Sequence, residues 1–321
     1  MSETKKVAVL QGGRSLERAV SLRSGAQVQD ALQRLGHEVV AIDVGAELVS
    51  ELLAAAPDVA FIALHGREGE NGTVQNLLEA IGLPYTGSGP AGCARGTNKV
   101  LAKQLMREAG IPTPEFDALR ETSIKELGAA AALPKIESRL GLPLVVKPAE
   151  GGSALGVKFA RTSDALPGAL VGALSYDRTV LMERYIEGRD LAVSILDTGT
   201  EESGTIALPV VEAVPREEHF YDYESRYEIG KTTFVCPAEL TSDQTARAQE
   251  LALNVHRLLG CHGVARVDLL LEQGTGELWV LETNVVPGLT ATSLLPQAAD
   301  AAGIRFDSLV QRILASAFSR R

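Results

Sequence analysis

Three short, unbroken apolar runs near the start of the chain constrain its fold more than any other feature: Val7-Ala8-Val9-Leu10, Val39-Val40-Ala41-Ile42 and Val59-Ala60-Phe61-Ile62-Ala63-Leu64. Between the first two lies a helical pattern, Val20, Ala26, Val28, Ala31, Leu32 and Leu35, closed by Gly36, which suits the left-handed position after a helix. A strand with one wet face alternates apolar and polar residues, and these runs do not. They predict parallel strands covered by helices on both faces. In such sheets ligands bind beyond the carboxyl ends of strands, where Gly12-Gly13 and His65-Gly66 fall.

The chain has 321 residues, about two domains' worth at roughly 150 residues each. A helix is predicted over 99–109, and Ile111-Pro112-Thr113-Pro114 follows as a stiff boundary segment. An alanine-rich helical stretch is expected up to Leu140. A hairpin comes next, with strands 144–147 and 157–160 flanking Gly151-Gly152-Ser153-Ala154-Leu155-Gly156. A helix over 164–174 and a strand over 180–183 follow. From Leu191 the strands read as mostly antiparallel: 192–196, 205–214, 232–235, 264–271 and 278–281, with a helix over 243–259 and two terminal helices. The polar loop 216–230 carries Phe220, Tyr221, Tyr223 and Tyr227, and a loop of that length with embedded aromatics points to function.

Lys and Arg number 31 against 41 Asp and Glu, a formal net charge of -10. That argues against a nucleic-acid surface built on bulk positive charge, because phosphate neutralisation needs clustered cations. No apolar stretch approaches the ~20 residues that span a bilayer, and the polar start shows no signal peptide, so no membrane association is expected. Cys93, Cys236 and Cys261 lack C-x-x-C spacing, and a cytoplasmic, reducing location is expected.

Gly87-Ser88-Gly89-Pro90-Ala91-Gly92 fits G-x-G-x-x-G, but Leu83-Pro84-Tyr85-Thr86 before it is too short and Pro-interrupted for a dinucleotide site. The strongest local chemistry lies in the last strands. Arg266 and Asp268 are two apart and share a face, and Glu282 and Asn284 repeat the arrangement. On neighbouring strands, two carboxylates and an amide oxygen would converge beside an arginine, hard ligands that suit Mg²⁺ bridging to phosphates. Taken alone, the same residues also fit an exposed, charged sheet face. Lys147 before the glycine loop offers a cation and free N–H groups that could fold over phosphates, or it ends a plain hairpin. Lys99, at a helix start, is a second cation or an ordinary surface residue.

Five segments in order are more specific than any of these parts. They are Gly12-Gly13-Arg14-Ser15-Leu16-Glu17-Arg18-Ala19-Val20-Ser21-Leu22, His65-Gly66, Phe220-Tyr221-Asp222-Tyr223-Glu224, Gly263-Val264-Ala265-Arg266-Val267-Asp268, and Glu282-Thr283-Asn284-Val285-Val286-Pro287-Gly288-Leu289-Thr290 continuing to Ser293-Leu294. With these segments the chain resembles the ATP-grasp superfamily, and within it the D-alanine–D-alanine ligases, over essentially its whole length.

The resemblance implies a parallel α/β domain over 1–98, a small ATP-grasp domain over 99–189, and a C-terminal ATP-grasp domain over 190–321 with a catalytic loop at 216–230. ATP would lie between two antiparallel sheets. Two D-alanine molecules would be joined through a D-alanyl phosphate for peptidoglycan precursor synthesis. Lys99 and Lys147 match phosphate-binding lysines. Glu183, Arg184, Tyr185 and Ile186 match the adenine-binding segment, and Asp190 the ribose-contacting carboxylate. Asp268, Glu282 and Asn284 match the ligands of two Mg²⁺ ions, with Mn²⁺ as an alternative.

By the same resemblance Glu17 receives the first D-alanine's ammonium, with His65 nearby. Arg266 and the Gly288 N–H stabilise the oxyanion, and Ser293 and Leu294 hold the second substrate's carboxylate. Ser153 and Tyr227 join Glu17 in a network that closes the loop. A homodimer is expected. The chain departs from the family pattern at Arg226, where a γ-phosphate-binding Lys is usual, at Asn98, where Asp is common, and at Ala154, where a second Ser is common. A depsipeptide-forming ligase, another ATP-grasp carboxylate–amine ligase and a catalytically silent ATP-binding module remain alternatives.

Overall fold

The computed structural model describes residues 3–197, 204–215 and 232–319. Strands β1 (Lys6–Gln11), β2 (Glu38–Asp43) and β3 (Val59–Ile62) form a parallel sheet in the order β2-β1-β3. Its unbroken apolar runs serve two cores. Val7, Val9, Val59 and Phe61 pack on Val28, Ala31 and Leu32 of helix Arg18–Arg34 and on the C-terminal helix Phe306–Ser316. The residues between them, Ala8, Leu10, Ala60 and Ile62, face Leu48, Leu52, Val74 and Leu78 of helices Leu48–Ala55 and Thr73–Ala80. Full burial of each large side chain contributes roughly 1.5–3 kcal/mol. Gly36 has φ +86°, the left-handed closure expected of it.

The second sheet is antiparallel: β4 (Phe116–Arg120), β5 (Leu144–Pro148), β6 (Lys158–Ala160) and β7 (Thr179–Arg184), in the order β4-β7-β5-β6. The third comprises β8 (Gly188–Asp197), β9 (Thr205–Ala207), β10 (Val211–Pro215), β11 (Thr232–Val235), β12 (Val264–Glu272) and β13 (Leu278–Asn284). Its order is β11-β10-β8-β12-β13, with β9 also paired to β8, and every pairing is antiparallel. Helices Lys99–Glu108 and Ser242–Leu259 cover it: Ala102, Met106, Ala248, Ala252 and Val255 share a core with Val193, Val267 and Val280.

Two sequence expectations need correction. The stretch up to Leu140 is not one helical region: β4 precedes helix Glu121–Glu126, a 3₁₀ turn Ala129–Ala132 and helix Leu133–Leu140. β4 is an edge strand with one neighbour, and only Phe116 of its residues is buried, so it has no apolar run to announce it. The strand expected over 205–214 is two strands, β9 and β10. Pro209 between them has no N–H to donate, and the chain leaves the ladder there.

Candidate active site

The second and third sheets face each other across a cleft. Lys147 from β5, Glu183 and Arg184 from β7, Tyr185 and Ile186 from the connection that follows, and Asp190 from β8 all line one cavity in it, with Val145, Phe159, Leu270 and Leu281 as apolar walls. A flat aromatic base between two apolar sheets, with a polar edge at one side, fits this lining. Asp190 and Leu281 also border a second cavity of about 680 Å³, a volume typical of small-molecule sites. Around it stand Glu17, His65, Ser153, Arg266, Asp268, Glu282, Asn284, Gly288, Ser293 and Leu294. The predicted nucleotide and amino-acid subsites therefore adjoin. Arg226 and Tyr227 lie outside the described residues.

The cluster on the last strands is real. β12 and β13 are neighbours, and their register sets Asp268 opposite Glu282 and Arg266 opposite Asn284. Arg266 holds Asp268 with two parallel bonds, Nε to Oδ1 and Nη2 to Oδ2, both 2.7 Å. Lys99 Nζ lies 3.5 Å from Glu282 Oε2 and donates to the Gly151 carbonyl at 2.6 Å, tying the glycine loop to the carboxylates. Burial pushes the Glu282 carboxyl up, but Lys99, Lys147 and Arg266 outweigh it and hold the group below its ordinary value. Asn284 Oδ1 accepts the Val286 N–H at 3.0 Å and keeps a lone pair free. Two carboxylates and an amide oxygen on one patch form an all-oxygen donor set that fits Mg²⁺.

Glu17 lies just before helix Arg18–Arg34, with its carboxylate wedged between two loops. Ser153 Oγ donates to Glu17 Oε1 at 2.5 Å. A Cβ at Gly66 (φ +92°) would meet Ser15 Oγ at 2.3 Å, so that loop requires glycine there, while one at Gly152 would stand a tight 3.1 Å from Glu17 Oε1. Ser153 and Ala154 both hold positive φ, 50° and 56°. Ala154 is the position where the family commonly has a second Ser. Arg18 is absorbed structurally, in a 2.5 Å pair with Asp43.

His65 is buried and both ring nitrogens are engaged. Nδ1–H donates to the Val286 carbonyl at 3.0 Å, so Nε2 accepts from Ser24 Oγ at 2.9 Å, and Ser24 in turn accepts the Leu289 N–H at 3.2 Å. Burial, reinforced by Arg266, pushes the ring down to about 4 and keeps it neutral. His65 thereby fixes the loop that carries Gly288. That loop runs to Ser293, whose Oγ lies 2.8 Å from Thr290 Oγ1 and would stand 2.6 Å from a Cβ at Gly288.

Sequence reasoning missed two residues. Lys103, four places after Lys99 on the same helix face, is fully buried behind the cleft. Glu70, five places after His65, lines the second cavity and accepts the Gly66 N–H at 3.1 Å. Helical i, i+4 spacing could have flagged the first, and the run of charge after His65-Gly66 the second.

Burial, and then the charge of Glu17, push the Glu70 carboxyl from its ordinary 4.5 to about 7. The fold favours the protonated form, so this group contributes stability below its ordinary value and loses that contribution as pH rises through about 7. Gln mimics the protonated acid. Glu70→Gln is therefore expected to match the parent at pH 5 and to exceed it at pH 8 by about 2–3 kcal/mol in urea unfolding. Parallel pH dependence of the two proteins would refute this.

Two antiparallel sheets gripping a cleft, with lysines and a carboxylate–amide cluster at its mouth, define an ATP-grasp ligase. Family models described as "D-ala D-ala ligase N-terminus" and "D-ala D-ala ligase C-terminus" match residues 46–88 and 105–315. A D-alanine--D-alanine ligase of Gloeobacter violaceus is 44% identical over 96% of this chain and 98% of its own length. The crystal structure of D-alanine--D-alanine ligase from Bacillus anthracis complexed with ATP superposes with a TM-score of 0.82 at 32% identity, covering 99% of this chain and 98% of that one. The fold alone extends to VanG D-Ala:D-Ser ligase from Enterococcus faecalis, with a TM-score of 0.82 at 24% identity over 98% and 100% of the two chains. The chain belongs to the D-alanine–D-alanine ligase family.

Proposed function

We propose that this chain joins two D-alanine molecules into D-alanyl-D-alanine at the expense of ATP, through a D-alanyl phosphate, supplying peptidoglycan precursor synthesis. The carrying observation is the adjacency of the two cavities, which brings Glu17 and Ser293 to the same opening as Arg266, Asp268 and Glu282. Glu17, steadied by Ser153, receives the ammonium of the first D-alanine, whose carboxylate attacks the γ-phosphorus and releases ADP. Lys99 and Lys147 neutralise the phosphates, the Glu183–Ile186 segment takes the adenine and Asp190 the ribose. Ser293 and Leu294 hold the second D-alanine's carboxylate while its amine attacks the acyl carbon. Arg266 and the Gly288 N–H stabilise the tetrahedral oxyanion, which expels phosphate.

Asp268, Glu282 and Asn284 would hold Mg²⁺, or Mn²⁺, two ions in all, which supply charge neutralisation at the transferred phosphoryl group. The protein acts in the cytoplasm as a homodimer. Among the described residues no helix is long and apolar enough to cross a membrane.

Phosphate release from ATP with D-alanine as the only amino acid tests the reading. Release with stoichiometric D-alanyl-D-alanine is expected, and release absent with D-alanine but present with another amino acid would overturn it. Product choice rests on Tyr227, a phenol that is neutral near pH 7 and does not repel an ammonium nucleophile. D-alanyl-D-alanine is therefore expected to dominate over D-alanyl-D-lactate in competition from pH 6 to 9. Dominant depsipeptide at neutral pH would overturn this reading.

A further inference from the structure

Lys103 is among the largest fully buried side chains of the protein. Its Nζ lies 2.6 Å from Glu183 Oε2, donates to Thr113 Oγ1 and stands 5.7 Å from the Phe116 ring centroid. Thr113 Oγ1 donates onward to the Val280 carbonyl at 2.7 Å, which fixes the ammonium in place. The other oxygen of Glu183, Oε1, accepts from Lys147 Nζ at 3.1 Å. All three side chains are buried. Burial lowers the Lys103 ammonium to about 8, with Glu183 opposing, while Glu183 is held below its ordinary value by both lysines against its own burial.

A buried ammonium costs several kcal/mol unless it is paired, and one carboxylate needs only one lysine. Here one carboxylate serves two, so the triad carries a net charge of +1 in a desolvated interior, and the next carboxylate that acts on it, Glu282, is shared with Lys99 and Arg266. That surplus lies at the wall of the nucleotide cavity, which Lys147 and Glu183 line and Lys103 does not. A fold that keeps an unbalanced buried cation is poised for an anion to complete it. We propose that Lys103 is a positioning residue for the nucleotide's phosphates: by occupying half of the Glu183 carboxylate it leaves Lys147 with charge to offer them. The inference rests on the reading of Lys147 as a phosphate-binding residue.

The test compares dissociation constants of adenosine and of a non-hydrolysable ATP analogue by calorimetry, because their ratio isolates what the phosphates contribute. Lys103→Met removes the surplus charge and lets Lys147 close onto Glu183. It is expected to shrink the ratio about tenfold through the analogue, with adenosine changed less than twofold and the KM for D-alanine unchanged. Lys103→Met with Glu183→Gln returns the triad to +1 without a buried unpaired carboxylate, and should restore the ratio to within about threefold of the parent. This double variant also decides the matter if Lys103→Met alone does not fold. Equal weakening of adenosine and analogue, or a ratio that stays tenfold low in the double variant, would overturn the proposal. Lys147→Met reads the underlying assumption separately: an unchanged ratio there would remove the phosphate role of Lys147 itself.

Discussion

Glu282→Gln is expected to abolish phosphate release while leaving the fold intact. The substitution keeps the shape of the side chain and removes one charge from a floor where three cations, Lys99, Lys147 and Arg266, hold the carboxylate ionised against burial. Its direct cross-strand partner Asp268 is already shared with Arg266 in a two-bond pair. The remaining donors would then present one free charge at most to a divalent ion that must also bridge the phosphates. A loss of at least roughly a thousandfold in kcat follows if about 4 kcal/mol of charge stabilisation is lost at the transferred phosphoryl group. Removal of the metal with EDTA should silence the parent in the same way. A readout independent of turnover is available: Mg²⁺ with ADP should raise the melting temperature of the parent and not of the variant. Turnover by Glu282→Gln within tenfold of the parent would remove the metal assignment.

What could be read before the structure follows from how locally each feature is encoded. The parallel sheet was legible because Val7 to Leu10 feed two cores in alternation, which forbids polar interruptions. The carboxylate cluster was half legible: a two-residue period puts Arg266 with Asp268 and Glu282 with Asn284 on one face of each strand, while the pairing that sets Asp268 opposite Glu282 came only with the structure. β4 was not, since an edge strand needs only one apolar contact and Phe116 supplies it. The resemblance placed Glu183 in an adenine-binding segment, and in the structure it lines the cavity between the two antiparallel sheets. Its side chain has a further role that no local pattern carries, because Lys103 comes from a helix and Lys147 from a strand brought together only by tertiary packing. Both ring nitrogens of His65 are likewise spent on Ser24 and Val286, partners 41 and 221 positions away.

Arg266→Lys should be nearly as damaging as loss of the carboxylate, although it preserves charge. The guanidinium has five N–H donors in a rigid fork, and two of them are taken by Asp268 at 2.7 Å. That pairing fixes the plane of the guanidinium, so the same contact that holds Asp268 also orients the group toward the cavity where an oxyanion would develop. A lysine ammonium is a point charge on a flexible stem and cannot satisfy both oxygens of Asp268 in one plane while holding a second direction. Removal of one pre-aimed oxyanion donor costs about 100- to 1000-fold in kcat in other acyl-transfer sites. Here the effect should fall on kcat with the KM for ATP and D-alanine changed less than threefold, because the oxyanion exists only after attack by the amine. The D-alanyl phosphate should then form and decay to D-alanine and phosphate in water, so ATP consumption should outrun dipeptide production. Measuring ADP and D-alanyl-D-alanine in the same reaction separates the two steps. Equal loss of both products would place Arg266 in the phosphoryl transfer through Asp268, and unchanged coupling at near-normal rate would show that its charge alone suffices.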